Sequence, residues 1–438
     1  MRVPDAAGVL QAAGHAMIPA YTSLPGDGVP DAIRRDYLGF LADVVRQCGD
    51  IGMYERGGAP VVLVNTPALV RAMLIDGSPV LTKGDLQRSA FRTLLGDSLS
   101  MSDGERHHRL RRVLVPLFRR HALTRHAGMI IATAQTIVDR WAGEIDLFGE
   151  LHRLTVHTLG RTLVDEPELW DETSDFWLAR ERLWRWITGS AGQSHSLVTP
   201  VSHEPEPDIA SAITTVQATL DHIIQRRGRR ADLLGDLLDS GMLGDADVRD
   251  QILALLFAGH ETSAVSLFWA LHLLSRHPAE QDRLEHELDG INPVRAHLPD
   301  TAMVIREAMR LYPPAGRQFR VATADMMLGQ DDVRAGTAVT VCPYLLHRRP
   351  GSFPGPDAFA PSRWATSAEP QTYIPFGAGE RICLGRQYAL LETQLLLALI
   401  VSRFRLTFPQ AVRPQLAVTL RPHGNPIVRV ERRCDRAP

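Results

Sequence analysis

One cysteine in the C-terminal part of the chain has neighbours that suit a metal ligand. Cys383 lies in the stretch PFGAGERICLG, residues 375–385. A cysteine thiolate is a strong ligand for iron when something stabilises its negative charge. Glycines at 377, 379 and 385 would let backbone N–H groups approach the sulfur, and the N-terminus of the following helix would favour an anion. The pattern therefore predicts a thiolate ligand of iron at Cys383.

The residues around this cysteine extend the pattern. Phe376 could lie flat over the site, and Arg381 offers a fixed cation for an anionic partner. A lone cysteine before a helix is more often structural, but the full spacing F-x-x-G-x-R-x-C-x-G favours a ligand. This spacing resembles the haem-ligand signature of the cytochrome P450 superfamily. The resemblance implies a b-type haem (iron protoporphyrin IX) with Cys383 as the metal ligand and with Phe376, Gly377, Arg381 and Gly385 around it.

A break in a long apolar helix is the second feature. Residues 245–277 are apolar nearly all round, as expected of an interior helix, but the centre reads FAGHETS. The AGHET part resembles the oxygen-binding segment of the superfamily, which implies that Ala258 contacts the haem. Glu261 and Thr262 would be the catalytic pair, because an acid followed by an alcohol can relay protons to bound dioxygen. Gly259 would let the helix bulge there. A polar spot on a partly exposed helix is the alternative.

Haem has two propionates, which need cations in an otherwise apolar slot. The segment ERHHRLRR resembles the H-x-x-x-R helix of the superfamily and implies His107 and Arg111, which lie four residues apart on one helical face. His108 with Arg112 is the alternative register. Arg320 matches the strand arginine of the superfamily that also holds a propionate. Arg381, in the cysteine loop, is the last of the predicted propionate ligands.

A third motif concerns the fold. Glu307 and Arg310 match the E-x-x-R helix motif of the superfamily, although an i,i+3 pair of this kind is weak evidence by itself. Together with Arg363 they are predicted to form a buried ion network that supports the fold behind the haem and does no chemistry.

Composition excludes several classes of function. The 438 residues are 45% hydrophobic and have a formal net charge of −2, so nothing favours binding to nucleic acid or to an anionic membrane. The 4 cysteines lie far apart without a C-x-x-C pair, which argues against a disulfide framework and predicts a cytoplasmic setting. The N-terminus has no basic start followed by an apolar run, so neither a signal peptide nor a membrane anchor is predicted.

Helices must position most of these residues. The segment DAIRRDYLGFLADVVRQCGD and residues 124–187 have helical spacing, whereas MYERGGAPVVLV predicts two strands about a Gly-Gly turn, with a helix from about Pro67. Residues 188–208 are rich in Ser, Gly and Pro and are predicted as an irregular connector or lid. The pattern predicts a mainly α fold with a minor β part. The resemblance implies a single cytochrome P450 domain over residues 1–438, a helix-rich triangular prism with small β-sheets.

The resemblance also implies the reaction. It is that of a haem-thiolate monooxygenase, an oxidoreductase that inserts one atom of dioxygen into a small organic substrate by hydroxylation or epoxidation, as a tailoring step in bacterial secondary metabolism. Too little chain follows the cysteine helix for a reductase domain, so we expect electrons to come from NAD(P)H through a separate ferredoxin and ferredoxin reductase. A monomer is also expected. Exposed arginines could form a docking patch for that donor or simply a solvated face: Arg109, Arg112, Arg119 and Arg120.

Three alternatives stay open at this point. The same haem could be used for oxidative cyclisation, coupling or peroxide-driven oxidation, although the acid–alcohol pair at 261–262 favours dioxygen activation. The chain could instead be a non-catalytic haem-binding protein, or a helical interaction protein without a cofactor.

Overall fold

Helices make up most of the regular structure. The computed structural model describes residues 18–22, 29–77, 79–84, 91–193, 205–226, 230–294, 296–349, 351–366, 369–409 and 411–433. The α-helices are α1 (Val29–Cys48), α2 (Pro67–Arg71), α3 (Gly104–Leu114), α4 (Arg120–Leu123), α5 (Ala127–Val138), α6 (Leu147–Leu163), α7 (Asp175–Gln193), α8 (Pro207–Arg226), α9 (Leu233–Ser240), α10 (Asp245–Arg276), α11 (Pro278–Leu288), α12 (Pro299–Leu311), α13 (Pro343–Leu346) and α14 (Arg386–Arg403). The predicted mainly helical class is confirmed.

The strands form small sheets beside the helices. They are β1 (Ile51–Arg56), β2 (Ala59–Val64), β3 (Leu81–Thr82), β4 (Gly143–Asp146), β5 (Gln318–Ala322), β6 (Met326–Leu328), β7 (Asp331–Val333), β8 (Ala338–Val341), β9 (Phe404–Thr407), β10 (Pro414–Leu416), β11 (Leu420–Pro422) and β12 (Ile427–Arg432). The largest described sheet has the order β1-β2-β8-β5-β3, in which β2 and β8 are parallel. The predicted hairpin is β1–β2, and its turn places Gly57 and Gly58 at φ 60° and 79°, where glycine is favoured.

The helix α10 crosses the interior of the protein. It packs along α6 and also contacts α12 and α14. Its length and apolar composition would suffice to cross a membrane, but 78% of its most apolar window is buried inside the protein. Phe268 and Trp269, for example, are fully buried in the main apolar cluster. Burial in this core therefore accounts for the apolar character of α10.

The helix continues without interruption through FAGHETS, so the bulge predicted at Gly259 is wrong. A Cβ atom on Gly259 would lie 2.6 Å from Cδ2 of Leu159, so this glycine lets α6 approach α10 closely. The Thr262 hydroxyl donates hydrogen bonds to the carbonyl oxygens of Ala258 (3.2 Å) and Gly259 (3.1 Å). The side chain of the threonine is thereby held against its own helix.

A buried ion network lies behind the cysteine loop, as the E-x-x-R motif predicted. Arg310 donates from Nε and Nη2 to the two carboxylate oxygens of Glu307 at 2.9 and 2.8 Å, and neither side chain is exposed to solvent. Arg363 Nε lies 3.4 Å from the same carboxylate, and Trp364 Nε1 donates to it at 2.9 Å. Arg310 also donates to the carbonyl oxygen of Pro356 at 2.6 Å. The network therefore joins α12 to the long irregular segment that leads to the cysteine loop.

The segment at 188–208 differs from its prediction where it is described. The helix α7 continues to Gln193, and α8 starts at Pro207, so the first residues of this segment are helical rather than irregular. Residues 194–204 lie outside the described residues. The predicted lid therefore stays a prediction.

Candidate active site

A cavity of about 440 Å³ lies between α3, α10, α14, β5 and the cysteine loop. Much of its wall is apolar and includes Leu114, Phe118, Ala254 and Phe319. All predicted cofactor residues and one of the two predicted catalytic residues line it, namely His107, Arg111, Ala258, Thr262, Arg320, Phe376, Gly377, Arg381, Cys383 and Gly385. The fold thus brings together residues that are spread over some 280 positions of the chain, from helix α3 to helix α14.

Cys383 occupies the position of a ligand in this cavity. Its side chain opens to the cavity, and its N–H donates to the Phe376 carbonyl at 2.9 Å, which fixes the loop. Burial against protein on the other sides raises the pKa of the thiol, while the backbone N–H groups of Gly385 and Arg386 and the charge of Arg111 lower it. These donors lie at the start of α14, as predicted, and they favour the thiolate that an iron ligand requires.

The glycines of the loop have different tasks. Gly377 and Gly379 have φ angles of 74° and 70°, which other residues rarely adopt. A Cβ atom on Gly379 would lie 2.2 Å from the carbonyl oxygen of Leu74. The expectation that Gly379 serves the sulfur is therefore not met, because this glycine allows the loop to pack against the π-helical turn Ala72–Asp76. Gly385 is the glycine whose N–H reaches the sulfur.

Cationic side chains converge on one part of the cavity. Burial, together with the neighbouring Arg381, lowers the pKa of Arg320 to about 10. Burial and the charges of Arg381, Lys83 and Arg111 lower the pKa of His107 to about 4. Lowered pKa values are expected where guanidinium groups and the imidazole of His107 lie close together in a site of low polarity, because each further positive charge is disfavoured there. The site is therefore electropositive and suited to an anionic group.

Two buried polar atoms in the cationic part of the cavity have no hydrogen-bond partner in the described structure. They are Nδ1 of His107 and Nε of Arg381. The other nitrogens of Arg381 donate to the Ser102 carbonyl (3.1 Å) and to the Asp103 carboxylate. Buried polar atoms are normally satisfied, and carboxylate oxygens from a ligand would satisfy these two. The donor set therefore fits a haem, with its iron towards Cys383 and its propionates towards the cations.

The alternative register of the H-x-x-x-R segment lies at the surface. His108 Nε2 lies 3.1 Å from the carboxylate of Glu380, and Arg112 lies 3.4 Å from that of Glu105. Neither His108 nor Arg112 lines the cavity. The structure thus brings the pair at 107 and 111 into the cavity and leaves the pair at 108 and 112 outside.

The two predicted catalytic residues face different surroundings. Thr262 lines the cavity, whereas Glu261 does not. Glu261 is buried and accepts a hydrogen bond from the Thr419 hydroxyl. Burial raises the pKa of Glu261, and Thr419 and the charge of Arg421 lower it. Neighbouring residues of an α-helix point about 100° apart, so the acid must turn away from Thr419 to reach the cavity. Its catalytic role stays a prediction.

Lys83 and Tyr388 are among the polar residues of the cavity wall that sequence reasoning missed. Lys83 donates from Nζ to the Ser100 carbonyl at 2.5 Å and lines the cavity beside His107. Tyr388 lies on α14 and donates to the buried carboxylate of Glu392 at 2.9 Å. The i,i+4 spacing of that pair was the signal that could have revealed it.

Comparisons with known proteins support the family resemblance. The sequence profile of the cytochrome P450 family matches residues 33–424. The chain is 32% identical over 411 residues to cyclooctat-9-en-7-ol 5-monooxygenase of Streptomyces melanosporofaciens, covering 88% of each chain. It is 30% identical to pentalenene oxygenase of Streptomyces avermitilis over 395 residues, which cover 85% of this chain and 88% of the relative.

Solved structures show the same architecture. The haem domain of cytochrome P450DA superposes with a TM-score of 0.84 at 26% identity, covering 96% of this chain and 99% of that chain. CYP175A1 from Thermus thermophilus superposes with a TM-score of 0.76 at 26% identity, covering 94% and 99%. The predicted P450 fold and the predicted monooxygenase class are thereby confirmed, and the chain belongs to the cytochrome P450 family.

Proposed function

We propose that the chain is a haem-thiolate monooxygenase that oxidises a terpenoid in bacterial secondary metabolism. The observation that carries the haem-thiolate part is the position of Cys383, whose sulfur is open to the cavity and receives two backbone N–H groups. The substrate class is supported by the apolar wall and by relatives whose names describe the oxidation of cyclooctat-9-en-7-ol and of pentalenene. Burial of hydrocarbon surface would supply most of the affinity.

The cofactor in this proposal is haem b. Cys383 would hold the iron, and the cationic part of the cavity would hold the propionates through His107, Arg111, Arg320 and Arg381, which line it. Ala258, Phe376, Gly377 and Gly385 also line the cavity and would contact the haem. When bound, a thiolate-ligated haem supplies iron chemistry that favours O–O cleavage and oxygen insertion.

The other residues of the site bind the substrate, exclude water and move protons. The apolar wall around Ala254 and Phe319 orients a hydrocarbon and keeps water out of the cavity. The hydroxyl of Thr262 can hold a proton at the cavity wall, because it already donates to backbone carbonyls and can accept from a donor in the cavity. Glu261 replenishes that proton when its side chain leaves Thr419.

External partners and setting complete the proposal. Electrons come from NAD(P)H through a ferredoxin and its reductase, and the enzyme is a cytoplasmic monomer with one P450 domain over residues 1–438. Arg119 and Arg120 are exposed, Arg112 is exposed beside Glu105, and Arg109 lies 3.6 Å from Asp247. These arginines support docking of an acidic donor by electrostatic steering.

The test compares Cys383→Ala with Cys342→Ala, since Cys342 is a buried cysteine that does not line the cavity. Purified holoprotein should give the red-shifted ferrous–carbon monoxide band of thiolate-ligated haem in the wild type and in Cys342→Ala, and Cys383→Ala should lose it. With NAD(P)H, a ferredoxin and its reductase as electron source, labelled dioxygen and a terpenoid alcohol, only the first two proteins should form a product that carries one labelled oxygen atom. A thiolate band in Cys383→Ala would refute the ligand, and an unlabelled product in the wild type would favour peroxide-driven or coupling chemistry.

A further inference from the structure

A tyrosine that the proposed oxygen insertion does not use lies in the wall of the cavity. Tyr388 is on the first turn of α14, and only 4% of its surface is exposed. Among the described residues that line the cavity it is the only tyrosine, the other aromatic ones being Phe118, Phe319, Phe376 and His107. A haem held by the neighbouring cysteine loop would have this phenol close by.

The hydroxyl of Tyr388 is connected to a carboxylate. It donates to Oε1 of Glu392, one turn further along α14, at 2.9 Å. The hydroxyl of Thr162 on α6 lies 3.3 Å from it on another side. The phenolic hydrogen therefore points at a potential base rather than at solvent.

Glu392 is held by hydroxyl groups alone in the described contacts. It is fully buried, Thr158 donates to its Oε1 at 2.7 Å, and its Oε2 has no hydrogen-bond partner in the described structure. Burial raises the pKa of Glu392 to about 7, against the lowering effect of Ser263, Thr158 and Tyr388. A buried carboxylate that is held by hydroxyl groups, with no cation among its described contacts, can take up a proton at little cost.

The geometry matters for redox chemistry because a phenol that loses an electron becomes a strong acid. Electron loss is easy only if the proton leaves in the same step, which requires a hydrogen-bonded base. Tyr373 donates instead to the backbone carbonyl of Arg306 (3.1 Å), and Tyr54 shares a hydrogen bond with Tyr37 (3.2 Å). Neither of those acceptors is a carboxylate, so Tyr388 is the better placed electron donor.

We propose, on the basis of the proposed haem function, that Tyr388 and Glu392 form a proton-coupled oxidation site that discharges an over-oxidised haem when no substrate is bound. One electron passes from the Tyr388 phenol to haem iron that a peroxide has oxidised. The phenolic O–H bond breaks, and its proton goes to Oε1 of Glu392. The products are a neutral tyrosyl radical, a neutral carboxylic acid and an iron centre one oxidation level lower. Tyr388 would then protect the haem from destruction in unproductive turnover.

The experiment mixes substrate-free holoenzyme with hydrogen peroxide, freezes it rapidly and records electron paramagnetic resonance spectra. The wild type should give a tyrosyl radical, and Tyr388→Phe, which keeps the ring and removes the hydroxyl, should lose it. Glu392→Gln keeps the shape but removes the base, so its radical yield should fall. Tyr388→Phe should also bleach faster under peroxide, as measured by loss of haem absorbance.

Matched controls separate this proposal from the haem assignment. Tyr312→Phe removes a hydroxyl away from the cavity, where the ring stacks on Trp269 at 4.0 Å, and it should keep the radical. Each variant is checked for the thiolate carbon monoxide band before use. A wild type with this band but without a tyrosyl signal, or an undiminished signal in Tyr388→Phe or Glu392→Gln, would overturn the present proposal alone. A wild type that binds no haem would overturn the proposed function as well.

Discussion

Two carboxylates of equal burial stand in opposite environments. Glu307 and Glu392 are both fully buried. Glu307 lies against the guanidinium of Arg310 at 2.8 Å, with Arg363 at 3.4 Å. Glu392 receives hydroxyl hydrogens from Thr158 and Tyr388 and no cation in the described contacts.

The difference shows that the counter-charge, and not the depth of burial, decides what a buried acid does. A carboxylate paired with a guanidinium has a direct counter-charge and fixes the geometry of the segments around it. A carboxylate among hydroxyls pays for its desolvation by binding a proton more readily, so the pKa of Glu392 rises to about 7. The first arrangement suits the scaffold behind the cysteine loop, and the second suits proton exchange at the cavity wall.

The largest expected effect comes from removing the charge of Glu307, the buried acid that is paired with a guanidinium. Glu307→Gln would leave the fully buried Arg310 without its counter-charge, which costs about 3–5 kcal/mol of unfolding free energy. The urea midpoint should fall sharply, and less haem should be retained after purification. The control is Glu369→Gln, which removes the half-exposed partner of Arg306 and should cost less than about 1 kcal/mol. Equal midpoints for the two variants would contradict the comparison.

Sequence reasoning identified the paired acid and missed the unpaired one for a physical reason. The E-x-x-R motif and the cysteine loop are local patterns, so their residues could be named directly, and the cations at 107, 111 and 320 followed from the family resemblance. Glu392 has its partner Thr158 234 positions away, and Glu261 has Thr419 158 positions away. No local pattern encodes these two contacts, whereas the i,i+4 spacing of Tyr388 and Glu392 was visible in the sequence. Gly259 was also misread, because its close contact with Leu159 depends on how two helices cross.

The second largest expected effect is a pH dependence of stability that comes from Glu392, which has no cation among its described contacts. The pKa of Glu392 is about 7 in the folded protein against an ordinary 4.5, so the folded state binds this proton more tightly than the unfolded state. Stability from this group is therefore lost as the pH rises from 4.5 to about 7 and is constant above that window. Gln cannot titrate at this position. The free energy of unfolding of Glu392→Gln should therefore rise relative to that of the wild type by on the order of 3 kcal/mol across this pH window.

The measurement is the difference between urea midpoints of Glu392→Gln and wild type at several pH values. Glu431→Gln serves as the control, because it removes an exposed carboxylate beside Arg429 and should give a flat difference. A flat difference for Glu392→Gln would show that the hydroxyl groups compensate fully for the missing cation, and the comparison between the two acids would fail.

The smallest expected effect concerns a third buried acid, Glu261. It accepts a hydrogen bond from the Thr419 hydroxyl, and the charge of Arg421 acts on it. Thr419→Val removes that hydroxyl, so the pKa of Glu261 should rise further while Arg421 still limits the rise. The cost in unfolding free energy should be about 1 kcal/mol. The infrared carbonyl band of the protonated acid, identified by its loss in Glu261→Gln, should persist to higher pH in Thr419→Val.

Thr155→Val is the matched control for this variant, since Thr155 is equally buried but donates to the Leu151 carbonyl of its own helix at 3.0 Å. It should leave the infrared titration of Glu261 unchanged. An unchanged titration in Thr419→Val would mean that burial and Arg421 alone set the charge of Glu261. A raised pKa would instead show that the Thr419 hydroxyl stabilises the charge of Glu261, as the hydroxyls of Thr158 and Tyr388 do for Glu392.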